Sequence, residues 1–222
     1  TILFAEIDPI NEHERGKNMT QKERMLKGYP YISDDLLLSE ERMKVRKLTY
    51  KYNYSKPYAI KKRERLLYKI LGRRGEKCVI HPPFYCDYGY NIEVGENFFA
   101  NYNCIILDTN KIIIGNNVML APGVIITAAG HPIHSDIRNN LSLEYGKPIQ
   151  IGNNVWIGAN TIINPNVMIG NNVVIGSGSV VVHDIPDNVV CVGNPAKVVK
   201  KITDEDKQFY YKKQKINMAE LT

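Results

Sequence analysis

Residues 149–181 read IQIGNNVWIGANTIINPNVMIGNNVVIGSGSVV, a stretch in which an aliphatic residue returns at every sixth position. The same period reaches back to Ile92, and a second apolar residue stands two places before most of the recurring ones. A helix would space its apolar residues three and four apart, and a single amphipathic strand would simply alternate. The pattern therefore predicts short strands joined by regular corners. The recurring positions are Val94, Ala100, Ile106, Ile114, Leu120, Ile126, Ile151, Ile157, Ile163, Ile169, Ile175 and Val181.

Residues with unusual backbone freedom occupy the corners between these strands. The triplets at 115–117, 152–154 and 170–172 all read Gly-Asn-Asn, and these two residue types adopt positive φ at the least cost. Six-residue sides cannot bury their apolar residues alone and do so by stacking on one another. We therefore predict a solenoid, interrupted by two extra residues near Lys111 and by an excursion over residues 127–148.

A helical module is predicted to precede the solenoid. Residues 1–18 show no clear periodicity, and we interpret them as an extension or a cloning remnant. In residues 19–77, Thr20 and Glu23 have the spacing of a capping box, and helix-like apolar spacings follow. Gly and Pro residues divide this module into at least three helices. We expect the module to cap one end of the solenoid and to cover strand edges that would otherwise pair with other chains.

The solenoid body is predicted to cover residues 78–186, including the excursion at 127–148. It ends at Pro186, because proline cannot donate a hydrogen bond to a strand ladder. The remaining residues, 187–222, form a C-terminal segment and a basic tail. Within this tail, residues 203–216 are predicted to be helical.

The net charge is unevenly distributed along the chain. The 222 residues carry a net charge of +6 at pH 7, yet residues 78–186 contain only three basic residues against seven acids. The positive charge therefore lies on the flanking segments. These basic residues either form an ordinary solvated helix surface or attract a polyphosphate ligand. We find no nucleic-acid-binding motif and predict no nucleic-acid partner.

The composition indicates a globular protein rather than a membrane protein or a disulfide-rich secreted one. Hydrophobic residues make up 44% and charged residues 23% of the chain. No apolar run approaches the ~20 residues that cross a bilayer, and residues 1–18 lack the pattern of a secretory signal. We therefore expect a cytoplasmic protein with no membrane partner. Four cysteines form no CxxC pair and are predicted to be small buried thiols: Cys78, Cys86, Cys104 and Cys191.

The excursion at 127–148 is the predicted catalytic element, since it interrupts a regular scaffold and carries His131, His134, Arg138 and Glu144. An imidazole can take the proton of a hydroxyl group while that oxygen attacks a carbonyl carbon. Taken alone, a histidine in a loop is equally a polar surface residue. The surrounding segments decide between these readings.

Four further segments give the sequence a specific resemblance. They read PFYCDYGYNI at 83–92, NFFAN at 97–101, GHPIH at 130–134 and GNNVWIG at 152–158. In this order, and with GNPA at 193–196, the sequence resembles the maltose and galactoside O-acetyltransferase family. The resemblance implies a mainly β fold built on a left-handed parallel β-helix, and a homotrimer. It also implies direct transfer of an acetyl group from acetyl-CoA to the hydroxyl of a small-molecule sugar, without a metal.

The resemblance also assigns roles to individual residues. His131 matches the catalytic base, Asn101 the asparagine that orients the acceptor hydroxyl, and the backbone N–H of Ala159 the donor that stabilises the thioester oxyanion. We further hypothesise that Glu144 holds His131 in one tautomer or stabilises its charged form. The residues matched to the CoA site are Trp156, Gly158, Ala159, Val182, His183, Lys197 and Lys200.

The acceptor site departs from the family pattern. Asp34 and Asp35 are the candidates for an acidic sugar contact, but they stand one or two places away from the expected position. Phe99 replaces a tyrosine found in some members, and Val182-His183 stands where Thr-Lys is common. The predicted acceptor-binding residues are Asp34, Asp35, Tyr85, Phe99, Asn101 and Asp108.

Three alternatives remain open from the sequence. The acceptor could be another hydroxylated molecule, such as an antibiotic or a lipo-oligosaccharide. The same solenoid occurs in γ-type carbonic anhydrases, but His131 and His134 share one excursion and lack a third histidine nearby. Finally, a solenoid that serves only as an interaction platform would leave the His131 and Trp156 segments without a role.

Overall fold

The computed structural model of the chain describes residues 19–217. The predicted extension at residues 1–18 lies outside the described residues. Four α-helices are present in this part of the chain: α1 (Gln21–Leu26), α2 (Leu36–Asn53), α3 (Ile60–Ile70) and α4 (Ser135–Asn140).

Most of the structure is β. The strands are β1 (Tyr31–Ile32), β2 (Cys78–Ile80), β3 (Phe84–Cys86), β4 (Ile92–Val94), β5 (Phe98–Ala100), β6 (Cys104–Leu107), β7 (Ile112–Ile114), β8 (Met119–Leu120), β9 (Ile125–Thr127), β10 (Ala129–Gly130), β11 (Leu143–Gly146), β12 (Ile149–Ile151), β13 (Trp156–Ile157), β14 (Ile162–Ile163), β15 (Met168–Ile169), β16 (Val174–Ile175), β17 (Val180–Val181), β18 (Val189–Val192), β19 (Lys197–Lys201), β20 (Phe209–Tyr211) and β21 (Gln214–Lys215).

Three parallel sheets form the sides of a triangular solenoid, and the chain visits them in rotation. Sheet I contains β4, β7, β12 and β15; sheet II contains β2, β5, β8, β13, β16 and β18; sheet III contains β3, β6, β9, β14 and β17. Each strand pairs in parallel with its equivalent in the next coil, as Ile105 pairs with Ile125. The predicted parallel β-helix is therefore confirmed.

The six-residue period places its aliphatic residues in the core. All twelve recurring positions are at most 3% exposed, and they form one continuous hydrophobic cluster along the solenoid axis. Because each coil buries only a few residues, the core is completed by the coils on either side. The cysteines form no disulfide within residues 19–217, and all but the half-buried Cys78 are buried.

The corner triplets use Asn and Gly for two different reasons. The second asparagine takes positive φ, 55° at Asn117 and 57° at Asn154, and the Asn117 amide donates to Asn154 Oδ1 at 2.9 Å. The glycine is required by close stacking instead, because a Cβ on Gly152 would lie 2.7 Å from the backbone of Gly170. The sequence pattern alone had suggested positive φ for both residue types.

The N-terminal module packs on the first coil of the solenoid. The capping box of Thr20 and Glu23 begins α1. From α2 and α3, Val45, Tyr52 and Leu67 join the hydrophobic cluster of the solenoid. The module also extends further than an end cap, because its strand β1 pairs with β11 in the excursion.

The solenoid continues beyond Pro186, where it was predicted to end, because β18 pairs in parallel with β16 and Cys191 joins the core. The segment that follows also differs from the prediction. Strand β19 pairs antiparallel with β18, and the helix predicted over 203–216 is wrong. A short 3-10 helix, Asp204–Gln208, is followed by a hairpin of β20 and β21. The run Phe209-Tyr210-Tyr211 favours a strand, because aromatic side chains fit a pleated surface. Among residues 19–217, no helix combines the length and hydropathy that crossing a bilayer requires.

Candidate active site

The excursion is a small antiparallel sheet rather than an irregular loop. It leaves sheet III after β9, and β11 lies between β10 and β1. His131 follows β10 directly and is exposed to solvent. Its Nδ1 lies 3.0 Å from the carbonyl oxygen of Leu143. Since a carbonyl oxygen can only accept, Nδ1 carries the proton, and the Nε2 lone pair is available to take a proton from a substrate.

Glu144 has a different partner from the one predicted. The hydroxyl of Tyr31 donates to Glu144 Oε2 at 2.7 Å. The hypothesis that Glu144 holds His131 is therefore corrected: the Leu143 carbonyl holds the imidazole ring, and Glu144 lines the neighbouring pocket.

This pocket, with a volume of about 240 Å³, lies where the excursion, the N-terminal module and the solenoid meet. It is on the same corner of the solenoid as His131, because Asp87 and Thr109 follow strands of sheet III just as the excursion does. We call it the corner pocket. It is lined by Ser33, Arg42, Arg46, Asp87, Tyr88, Thr109 and Glu144.

The chemistry of the corner pocket suits a ligand with several hydroxyl groups. Burial, and then the charge of Glu144, raise the pKa of Asp87, so this carboxyl lies in a poorly solvated position. The Thr109 hydroxyl is buried without a hydrogen-bond partner among the described residues. The Arg42 guanidinium already forms hydrogen bonds within the protein, since it donates to the Tyr88 hydroxyl at 2.6 Å and to the Ser33 carbonyl at 2.7 Å. Buried polar groups of this kind are expected to bond a bound molecule.

Two of the residues predicted to contact the acceptor instead form hydrogen bonds that stabilise the local fold. Asp108 is fully buried, and its carboxylate accepts from the backbone N–H groups of Asp87, Tyr88 and Asn91 at 2.9 to 3.2 Å. Burial raises the pKa of Asp108 to about 7. The prediction of a surface contact at Asp108 is therefore corrected: this residue holds the turn that presents Asp87 to the pocket. Similarly, Asp35 caps α2 by accepting from the Leu38 N–H.

Other predicted acceptor residues lie elsewhere. Asp34 is exposed and Ser33, beside it, lines the corner pocket instead. Tyr85 is 49% exposed on the outer face of sheet III. Phe99 is half-buried on the outer face of sheet II, where its ring packs edge-on against His81 with centroids 5.3 Å apart.

Asn101 lies on a different corner from His131. It follows β5, at the corner between sheets II and III, and its Oδ1 accepts from the Tyr102 N–H at 2.8 Å. His131 lies at the opposite edge of sheet III. Because a four-residue strand such as β6 spans about 13 Å, the two side chains of one chain stand on opposite edges of that face.

The residues matched to the CoA site also fall on two corners. Trp156, Gly158 and Ala159 lie at the corner of Asn101, and the Ala159 N–H donates to Ser177 Oγ at 3.1 Å. Trp156 is 50% exposed and so does not serve as core packing within this chain.

Val182 and His183 are exposed at the corner of His131, two coils further along the solenoid. Lys197 and Lys200 lie on the exposed strand β19, where Lys200 pairs with Asp206.

The outer faces of the three sheets differ in polarity. The outward column of sheet I is mixed, since Glu93, Gln150 and Asp184 alternate with Ile113 and Met168, whereas the columns of sheets II and III are apolar. The sheet II column is Val79, Phe99, Met119, Trp156, Val174 and Val190. The sheet III column is Tyr85, Ile105, Ile125, Ile162 and Val180.

Comparison with known proteins places this geometry in a family. Residues 148–183 match the profile described as "Bacterial transferase hexapeptide (six repeats)", and residues 24–75 match the "Maltose acetyltransferase hexapeptide capping motif". The galactoside O-acetyltransferase of Escherichia coli (strain K12) is 44% identical over 202 residues, which cover 91% of this chain and 99% of the relative. The chain belongs to the maltose/galactoside O-acetyltransferase family.

Solved structures of this family share the fold. A maltose O-acetyltransferase from Clostridium difficile 630 is 53% identical, with a TM-score of 0.82 over 84% of this chain and 99% of that chain. A galactoside acetyltransferase in complex with coenzyme A is 44% identical, with a TM-score of 0.87 over 90% of this chain and 100% of that chain. Among residues 19–217 no three His, Cys, Asp or Glu side chains are grouped as metal ligands, and the relatives favour acyl transfer over the zinc-protein alternative.

Sequence reasoning missed most of the corner pocket. Ser33, Arg42, Asp87 and Thr109 come from three separate segments, so no local spacing brings them together. One signal was available: Asp87 and Asp108 each follow directly after the last residue of a strand of sheet III, which places them at one corner. The Leu143 carbonyl is a backbone group and leaves no signal in the sequence.

Proposed function

We propose that this chain transfers the acetyl group of acetyl-CoA to a hydroxyl of a sugar, with His131 as general base. The observation that carries the proposal is the His131 ring, whose Nδ1 is held by the carbonyl of Leu143, the neighbour of the pocket residue Glu144, so that Nε2 can act as the base. The family relatives named for maltose and galactoside acetylation, and the relative bound to coenzyme A, support the donor and the class of acceptor.

In the proposed reaction Nε2 of His131 takes the proton of the acceptor hydroxyl as its oxygen attacks the thioester carbonyl carbon. The tetrahedral oxyanion is stabilised by the Ala159 N–H, which exchanges Ser177 Oγ for the substrate oxygen. The intermediate then expels CoA as the C–S bond breaks. The sulfur takes the proton from the His131 imidazolium, so the enzyme returns to its starting state with no covalent intermediate.

The proposal requires more than one copy of the chain. His131 and Asn101 of one chain lie on opposite edges of sheet III, so a site that contains both must join the His131 corner of one protomer to the Asn101 corner of another. The apolar outer columns of sheets II and III flank the Asn101 corner. Packing sheet II of one protomer against sheet III of the next would be a heterologous contact of the kind that closes into a ring, and we propose a ring of three, the homotrimer that the family resemblance implies.

In this arrangement acetyl-CoA binds in the cleft between two protomers. Trp156 and Gly158 line its channel from one protomer, while Val182 and His183 approach from the other. Lys197 and Lys200 supply positive charge to the CoA phosphates, for which Lys200 must release Asp206. The reaction uses acetyl-CoA as co-substrate, and we place the enzyme in the cytoplasm.

An acetyl-CoA-dependent thiol-release assay tests the proposal. The purified protein should release CoA with glucose, maltose or a galactoside, and mass spectrometry should show one added acetyl group on the sugar. A panel that adds hydroxylated antibiotics and lipo-oligosaccharides separates the acceptor classes. Turnover with an antibiotic or a lipo-oligosaccharide alone would reassign the acceptor, and no acceptor-dependent release with any of them would contradict the proposal.

The corner pocket is the proposed acceptor site, and Asp87→Ala tests it. Removal of this carboxylate should raise the acceptor KM about tenfold, because one charged hydrogen bond to a sugar hydroxyl is lost. The KM for acetyl-CoA should change less than about twofold, since the CoA residues lie on other coils. Steady-state kinetics with each substrate varied in turn measures both. Equal increases in the two KM values would contradict the assignment.

A further inference from the structure

The N-terminal module contacts the excursion at the residues that hold the catalytic histidine. Strands β1 and β11 pair antiparallel, with Tyr31 opposite Glu144 and Ile32 opposite Leu143. Leu143 is the residue whose carbonyl oxygen accepts from His131 Nδ1. A segment more than one hundred positions earlier in the sequence is therefore one strand away from the imidazole.

Tyr31 is the most firmly placed residue of this contact. Its side chain is fully buried, and its hydroxyl donates to Glu144 Oε2 at 2.7 Å. Burial, together with the nearby Glu144 charge, raises the pKa of Tyr31, so the hydroxyl keeps its proton. Ser33 adds two more bonds from its N–H and its hydroxyl to the Ser142 carbonyl, at 3.2 and 3.1 Å. The N-terminal module therefore contacts each of the three consecutive residues 142–144.

The middle of the excursion offers little anchorage. Helix α4 contains no buried residue, and Ile133 and Leu141 are 97% and 53% exposed. Strand β11 is held by β10 on one side and by β1 on the other. At the base of the excursion Ala128 is buried and its carbonyl accepts from the Lys147 N–H at 2.9 Å. Strand β1 therefore supplies the anchorage at the Leu143 end of β11, and its Tyr31 packs in the core of the module.

We propose that Tyr31 is a positioning residue for His131: through Glu144 and strand β11, it sets the Leu143 carbonyl that holds Nδ1 and leaves Nε2 as the base. The proposal rests on the proposed role of His131 in catalysis. It gives the N-terminal module a part in the chemistry as well as in packing on the first coil of the solenoid. A displacement of the Leu143 carbonyl lowers the fraction of molecules whose ring is both in the reactive orientation and in the Nδ1–H tautomer.

The test compares two tyrosines that each lose only a hydroxyl. Tyr31→Phe removes the bond to Glu144. Tyr52→Phe is the matched control: Tyr52 is also buried in the module and its hydroxyl donates to the Ile80 carbonyl, away from the corner pocket. We expect Tyr31→Phe to lower kcat about tenfold with both substrates saturating, while the KM for acetyl-CoA stays the same. Tyr52→Phe should keep the wild-type kcat per folded molecule.

A spectroscopic measurement separates positioning from a loss of folded protein. In protein with ¹⁵N-labelled histidine, the His131 ring nitrogens should show the Nδ1–H tautomer in the wild type and in Tyr52→Phe. In Tyr31→Phe the two nitrogen shifts should move toward each other as the second tautomer becomes populated. A Tyr31→Phe enzyme with wild-type kcat and unchanged ring shifts would overturn the inference.

The Glu144→Ala variant supplies an independent check. If Tyr31 acts through Glu144, the double variant Tyr31→Phe/Glu144→Ala should have the same kcat as Glu144→Ala alone. Fully multiplicative losses of kcat would contradict this route. The His131→Ala enzyme separates failure of the proposed base from failure of the proposed positioning. An active His131→Ala enzyme would show that His131 is not the base. An inactive His131→Ala enzyme together with an unaffected Tyr31→Phe enzyme would remove only the positioning role of Tyr31.

Discussion

His131→Ala is expected to lower kcat about 10³-fold, because general-base assistance of this size is lost when no group takes the acceptor proton. The KM for acetyl-CoA should stay close to that of the wild type, since the imidazole is proposed to act on the acceptor hydroxyl and not on the donor. The measurement is CoA release at saturating acetyl-CoA with the best acceptor of the panel.

His134→Ala is the matched control for this prediction. His134 lies in the same excursion, but its side chain is 70% exposed and its Nδ1 accepts from the Asp136 N–H at the start of α4. This variant should retain wild-type turnover. If His131→Ala kept more than about one tenth of the wild-type kcat, which general-base loss does not allow, the proposed mechanism would be wrong. Equal losses in the two variants would indicate collapse of the excursion instead.

Ile162→Asp is expected to separate the proposed trimer and to abolish activity in the same preparation. Ile162 lies in the middle of the apolar column on the outer face of sheet III, between Ile125 and Val180. A carboxylate buried there between protomers would lose its hydration without gaining a partner. Because the Asn101 corner is proposed to come from a second protomer, kcat should fall at least about 10²-fold. Light scattering and the thiol-release assay measure the two effects.

Ile113→Asp is the control, since it makes the same change at an outward position of sheet I, beside Glu93 and Gln150. It should remain trimeric and active, with a circular dichroism spectrum like that of Ile162→Asp. A monomeric Ile162→Asp protein with full activity would show that one chain holds the whole site. A trimeric and active Ile162→Asp protein would show that sheet III lies outside the interface.

The fold was predictable because its signal is local and repeated. Each coil buries its residues at the same positions of the six-residue repeat, so the twelve recurring aliphatic residues each indicate the same architecture. The helix predicted over 203–216 failed where no such repetition exists, and the aromatic run at 209–211 formed a strand. The roles of the corner glycines also required the structure, because the approach of one coil to the next depends on stacking distance and not on residue preference.

The candidate site was predictable only in part. His131 and the excursion stood out because they break the period, whereas the pocket beside them is assembled from residues far apart in sequence. Asp108 and Asp87 illustrate the difficulty: both follow the last residue of a sheet III strand, yet one carboxylate accepts from three backbone N–H groups and the other lines the pocket. Which of two such acids faces a ligand depends on turn geometry, and one sequence does not specify it.

The excursion leaves the solenoid after β9 and returns at β12 without disturbing the register, since Ile112 and Ile114 still pair with Ile149 and Ile151. The coils on either side therefore stack as if the intervening segment were absent. In evolutionary terms, residues 128–148 can vary in sequence around the proposed base His131 while the coils on either side keep their stacking. A scaffold of this kind allows enzymes with one coenzyme to diversify in the alcohol that they acetylate.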